Sequence, residues 1–288
     1  MEYENPDYLI EAEELMSRLT DTNLRIFDTS VFLRASQNGY KAESGLEQYR
    51  KHHIPNAGFI DLIKDWSSEN SPLNFTLPTI EQLSMAIGSS GINDTHEVIL
   101  YSSGHLMWAT RAWWLLKFSG HQNVRILNGN LSVWSQKKFP LEPGLSQYTT
   151  EMFKGEPNWN LFSTTRDIED SEESGSCVIN ALSKALYEGT GDFYYSRRGH
   201  IPGSRSVFYG DILDGEFFKT ADNLTETLEE KGLTGASEVI VYCGGGIAAT
   251  IDAFACKLLG HERVSVYDGS MSEWVESDDR PLKIGGEP

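Results

Sequence analysis

The sequence predicts an α/β protein built from two similar units, each a parallel sheet with helices on both faces. One observation is an internal repeat whose landmarks return in the same order. A second is the alternation, within each copy, of short apolar runs with helically spaced segments, the pattern of a parallel sheet crossed by helices. A third is a cysteine placed where one of those runs meets a run of glycines.

The repeat begins with His53-Ile54-Pro55-Asn56-Ala57, which returns as His200-Ile201-Pro202-Gly203-Ser204. Val98-Ile99-Leu100-Tyr101 returns as Val239-Ile240-Val241-Tyr242, and each is followed by a glycine-containing turn and an apolar helix. Gly120-His121 answers to Gly260-His261, and a strand ending in Asn128-Gly129 answers to one ending in Asp268-Gly269. Trp134 and Trp274 close the copies at equal distance from that glycine. In the first copy the apolar runs predict strands over residues 24–29, 57–61, 97–102 and 124–127, and helical spacing predicts helices over 10–19, 79–89 and 109–119. Residues 140–160, with Pro143, Gly144 and Pro157 and little periodicity, read as a connection. The expected division is a first domain over residues 1–140, a linker over 141–160, and a second domain over 161–288.

Composition narrows the function classes. Across 288 residues, 39% hydrophobic and 23% charged is ordinary for a soluble globular chain, and no apolar run approaches a membrane span. A formal net charge of −18 argues against nucleic-acid or anionic-membrane partners, which require clustered Lys and Arg. Cys177, Cys243 and Cys256 have no metal-ligand spacing, and any disulfide leaves one over, so a reduced, cytoplasmic location is expected. The acidic N-terminus, Met1-Glu2-Tyr3-Glu4, lacks the features of a secretory signal.

Chemistry is expected at Cys243. It ends a buried strand and enters Gly244-Gly245-Gly246-Ile247-Ala248-Ala249, a glycine turn leading into a helix. Converging backbone N–H groups and the positive end of the helix dipole favour a thiolate there, or a persulfide or sulfur oxyanion. A dinucleotide site would need a third spaced glycine and has no use for the cysteine. A phosphatase loop of the Cys-x5-Arg type would need an arginine where Ala249 stands. In the first copy the matching position is Ser102, with no base evident nearby, so that copy reads as a fold without its own chemistry that walls one side of the site.

With these residues assembled, the chain resembles the tandem-domain rhodanese-type sulfurtransferases, the family of thiosulfate and 3-mercaptopyruvate sulfurtransferases. The resemblance spans residues 7–281 and rests on Arg198-Gly199-His200-Ile201-Pro202-Gly203, on Tyr242-Cys243-Gly244-Gly245-Gly246-Ile247-Ala248-Ala249, and on Asp268-Gly269-Ser270 with Trp274. It implies two rhodanese-like domains, a catalytic cysteine in the second alone, and sulfur transfer from a small anionic donor to a thiol, cyanide or protein-thiol acceptor without metal or organic cofactor. The chain departs from both branches. Thiosulfate-type members tend to carry basic residues after the cysteine, whereas this loop is uncharged. The mercaptopyruvate type carries Cys-Gly-Ser-Gly, where this chain has Gly245 for the serine. That type's aspartate, histidine and arginine partners align with Ile63, Phe75 and Leu186.

Arg197 and Arg198, before the second His-Ile-Pro turn, are candidates for gripping the donor's charged group, with Lys184 a weaker one. His53 and His200 recur in both copies, including the one without a cysteine, which favours a turn-stabilising role. Cys177, Cys256 and the pair Trp113-Trp114 read as core. The expected activity is double displacement through a Cys243 persulfide. The contrasting expectation is a non-catalytic binding module that receives a peptide or anion at the glycine loop.

Overall fold

The computed structural model describes residues 1–36, 39–192, 195–233 and 235–288. The first sheet contains β1 (Leu9–Ile10), β2 (Leu24–Asp28), β3 (Gly58–Phe59), β4 (Glu97–Tyr101) and β5 (Val124–Leu127), all parallel, in the order β1-β5-β4-β2-β3. The second contains β6 (Phe162–Ser163), β7 (Cys177–Asn180), β8 (Arg205–Ser206), β9 (Val239–Tyr242) and β10 (Val264–Tyr267), also parallel. Read from the matching edge, its order is β6-β10-β9-β7-β8, so the duplication seen in sequence is one of topology. Apart from the partly buried Glu97, the central strands are wholly buried and rich in Val and Ile, as strands covered on both faces must be.

The structure differs from the sequence reading at its edges. The helix expected over residues 10–19 is Ala12–Ser17, because Ile10 pairs with Leu127 as an edge strand. The strand expected over 57–61 contracts to Gly58–Phe59, although Ile60 N–H still bonds Asp28 O at 3.0 Å. An antiparallel pair, Val31–Ser36 with Gly39–Ser44, falls where no strand was read; its residues are mostly exposed and so give little apolar signal.

The repeated His-Ile-Pro turns are architectural. His53 stacks on Tyr49 with centroids 4.1 Å apart, and His200 on Tyr187 at 3.7 Å. Each imidazole Nδ1 bonds that tyrosine's carbonyl, at 2.9 and 2.8 Å. The following Ile54 and Ile201 N–H groups donate to the hydroxyls of Tyr101 and Tyr242, at 3.2 and 3.0 Å. A buried tyrosine at the end of the central strand thus fixes the turn in both copies.

Two helices, α1 (Met107–Phe118) and α2 (Ala249–Leu258), follow the central strands β4 and β9 and pack against each other. The Thr110 and Thr250 hydroxyls meet at 2.6 Å, and Trp113 meets Phe254 edge-on at 4.9 Å. Trp114 Nε1 donates to Leu161 O at 2.8 Å, in the residue just before the second sheet's first strand. Both helices are buried nearly all round, which accounts for their apolar sequences. The chain between the two sheets lies strapped on the first unit: Gly144, Glu151 and Asn158 N–H bond the carbonyls of Arg50, Gly88 and Phe118 at 2.9, 2.9 and 2.7 Å, and the Tyr148 ring packs on Phe27. No described helix is long and apolar enough to cross a membrane.

Candidate active site

Cys243 follows the last residue of β9, at the carboxyl end of the sheet where the chain turns towards α2. Open α/β sheets bind ligands at this end because the loops there converge. Two bonds seat the cysteine: its N–H donates to Ser270 Oγ at 3.1 Å, and its carbonyl accepts Met271 N–H at 3.1 Å. Ser270 holds a left-handed φ of 50° and donates a hydrogen bond from its own hydroxyl to Tyr267 O at 2.8 Å. The Gly244 carbonyl accepts Ser272 N–H at 2.9 Å and Ser272 Oγ at 2.7 Å. The loop's carbonyls and the cysteine N–H are therefore held from behind. Among the described residues, no acceptor takes the N–H groups of residues 244–249.

The three glycines serve different ends. Gly246 adopts φ +74°, and a Cβ there would lie 2.5 Å from Asp268 O. A Cβ on Gly244 would come within 2.1 Å of the Tyr195 hydroxyl, whereas one on Gly245 would meet nothing nearer than Ser272 Oγ at 3.9 Å. Cys243 is only 2% exposed and packs with the apolar core, followed by the half-buried Gly244 and Gly245.

The first unit supports this loop. Arg111, on α1 and 1% exposed, pairs with Asp268 at 2.7 Å and donates to Phe75 O at 2.7 Å and Gly246 O at 3.3 Å. Asp268 also accepts Leu77 N–H at 2.7 Å. His105 meets Tyr209 of the second unit edge-on at 5.2 Å, with its Nδ1 accepting Met107 N–H at 3.2 Å. Burial pushes the His105 imidazole below its ordinary value, keeping it neutral near pH 7. Burial and charge on Cys243 push the Tyr195 and Tyr209 phenols up.

The corresponding loop of the first unit is closed upon itself. Ser102 N–H donates to Asn130 Oδ1 at 2.9 Å, as Cys243 does to Ser270. Beyond that the copies diverge: Ser103 N–H is taken by Ser30 Oγ at 2.6 Å, Gly104 N–H by Ser102 Oγ at 3.0 Å, and Met107 N–H by His105. Three N–H groups that follow Ser102 are thus occupied, whereas those of residues 244–249 have no acceptor among the described residues.

The other candidates are dispersed. Arg197 donates to Ser277 O at 2.7 Å and Arg280 O at 2.8 Å, so its guanidinium clamps the C-terminal segment. Arg198 is exposed. Lys184 is exposed and pairs with Glu188 at 3.7 Å. Ile63 is 37% exposed, and Phe75 packs on Trp108. Cys177 and Cys256 are buried thiols whose protonated forms burial favours. Sequence reasoning missed Tyr195, Tyr209, His105 and Arg111. Only Arg111 left a signal, as a cation inside the apolar run Trp108-Ala109-Thr110-Arg111-Ala112-Trp113-Trp114.

Residues 11–137 and 167–277 match the rhodanese-like domain family. The chain belongs to the rhodanese family. With both halves matched, this rhodanese is a tandem-domain sulfurtransferase. It is 30% identical to the 3-mercaptopyruvate sulfurtransferase of Escherichia coli (strain K12) over 279 residues, 96% of this chain and 98% of that protein. It is also 30% identical to the thiosulfate sulfurtransferase of Mus musculus over 271 residues, 91% of this chain and 89% of that one. The crystal structure of SseA from Escherichia coli, a 3-mercaptopyruvate sulfotransferase, superposes with a TM-score of 0.82 at 29% identity, covering 91% of this rhodanese and 98% of that chain. The Tum1 protein of Saccharomyces cerevisiae shares the fold, with a TM-score of 0.84 at 22% identity over 98% and 100% of the two chains.

Proposed function

We propose that this rhodanese carries sulfur on Cys243, taking it from a small anionic donor such as 3-mercaptopyruvate or thiosulfate. The Cys243 thiolate attacks the donor's outer sulfur. The bond behind that sulfur breaks, and its electron pair leaves with the departing group, the enolate of pyruvate (which takes a proton from water) or sulfite. A thiolate or cyanide acceptor then attacks the terminal sulfur of the persulfide and returns Cys243 as thiolate. This is covalent catalysis in two half-reactions, with ping-pong kinetics.

The observation that carries the reading is the contrast between the loops: after Cys243 the N–H groups of residues 244–249 have no acceptor among the described residues, whereas after Ser102 those of Ser103, Gly104 and Met107 are taken. Preorganised amides stabilise charge as it builds on sulfur and need no reorganisation to do so; one such donor is worth about 3 kcal/mol in a transition state. The three buried, unpaired thiols support a reducing compartment such as the cytoplasm. The functional boundaries follow the same division, with residues 1–140 as supporting domain, 141–160 as connection and 161–288 as catalytic domain. Incubation with thiosulfate or 3-mercaptopyruvate, followed by intact-mass measurement, should add one sulfur to the wild type and none to Cys243→Ser. Labelling of the serine variant would remove Cys243 from the mechanism.

A further inference from the structure

Gly244 is the loop glycine whose missing side chain leaves room for a side chain from elsewhere in the fold. Its φ lies outside the left-handed region that favours glycine, and the atom that a Cβ would strike is the Tyr195 hydroxyl, at 2.1 Å. The phenol therefore rests against the backbone of the residue that follows the cysteine, in space that any side chain at 244 would take. Tyr195 is half-buried, its ring packed on the cluster that includes Tyr242 and Ile201.

We propose that Tyr195 is a catalytic residue of this sulfurtransferase, donating a hydrogen bond from its hydroxyl to the sulfur on Cys243 as charge passes through it. The inference rests on the reading of Cys243 as sulfur carrier. It supplies a donor from a side chain in a loop that contributes only backbone. No proton changes hands: the phenol O–H stays intact while the donor's bond to its outer sulfur breaks and the electron pair leaves with the departing group. Burial and charge on Cys243 both oppose ionisation of the phenol, so it remains a donor when the cysteine is anionic. Arg111 is engaged with Asp268 and Arg197 with carbonyls, and the neutral Tyr195 hydroxyl is the side-chain atom lying against the Cβ side of Gly244.

Tyr195→Phe keeps the ring and removes the donor. Gly244→Ala moves the phenol away, since the contacted atom is the tip of a side chain. Single-turnover persulfide formation with 3-mercaptopyruvate and with thiosulfate, followed by intact mass, reads both variants, and circular dichroism verifies that they fold. Each substitution should slow the step about 10- to 100-fold, the worth of one hydrogen bond to a charged group. The double variant should be no slower than Tyr195→Phe, because both changes remove the same bond. A wild type that labels normally, beside a Tyr195→Phe variant within twofold of it, overturns this proposal alone, as do effects that multiply in the double variant. A wild type that accepts no sulfur from either donor refutes the parent reading and this one together.

Discussion

Asp28 ends β2 with its side chain fully buried, and only one of its oxygens is served: Oδ1 accepts Ser30 N–H at 2.8 Å and the Ser30 hydroxyl, while Oδ2 has no partner among the described residues. Burial pushes this carboxyl up to about 7, with the bonds to Ser30 and the Tyr101 side chain opposing the shift. The unfolded group titrates near its ordinary 3.8, so between pH 4 and pH 7 the folded state holds a proton that the unfolded state has lost. Stability from this group is therefore fully present below about pH 4 and declines as pH rises to about 7, where the loss levels off. About three pH units at 1.36 kcal/mol each give an upper bound of about 4 kcal/mol. Asp28→Asn removes the titration while keeping an oxygen for Ser30, and it copies the second unit, where Asn180 occupies the same place beside Tyr242 and accepts Leu182 N–H at 2.8 Å. Urea unfolding of both proteins from pH 4 to pH 8 should show near-equal stability at the acid end and an advantage for the variant growing to about 2–4 kcal/mol at pH 8. A difference independent of pH, or a wild type that is the more stable at pH 8, would refute the burial argument.

Two further perturbations test the support of the loop. Arg111→Met leaves Asp268 without its buried partner and should cost about 3–5 kcal/mol in urea unfolding. Asp268→Asn should cost clearly less in that background than in the wild type, and additive losses would mean that the pair is not coupled. Gly246→Ala should destabilise by about 1–3 kcal/mol, because φ +74° and the contact with Asp268 O both exclude a methyl, whereas Gly245→Ala, which points into open space, should stay within about 1 kcal/mol. Equal melting shifts for the two alanines would contradict the assigned roles.

The parallel cores were legible because their strands are buried on both faces and read as continuous apolar runs: 97–101 and 239–242 stand out from their neighbours without further context. The two-residue edge strands Leu9–Ile10 and Phe162–Ser163 were not, since so short a segment carries no period. Cys243 and its glycines form one local stretch and were found for that reason. Tyr195 and Tyr209 reach the loop by folding alone, from 48 and 34 residues away in sequence, in segments with no periodicity to mark them. Arg197 was singled out because a charge beside a motif suggests a ligand, and the carbonyls of Ser277 and Arg280 that its guanidinium meets lie 80 and 83 residues away, where no local pattern could announce them.

Duplication explains why the site needs a unit that carries no cysteine. Two copies of one fold each bring a helix off the central strand, and those helices bury apolar faces that neither can leave in water, as Trp113 against Phe254 demonstrates. Once they are packed, residues of α1 lie beside the loop that opens α2. Arg111 holds the Gly246 carbonyl and Asp268, and Thr110 meets Thr250. The first copy's own loop is then free to close, and Ser30, Ser102 and His105 take up its amides. Closure there and support here have the same cause: α1 contributes its polar residues across the interface, where they steady a loop whose amides stay open because no side chain of its own can reach them.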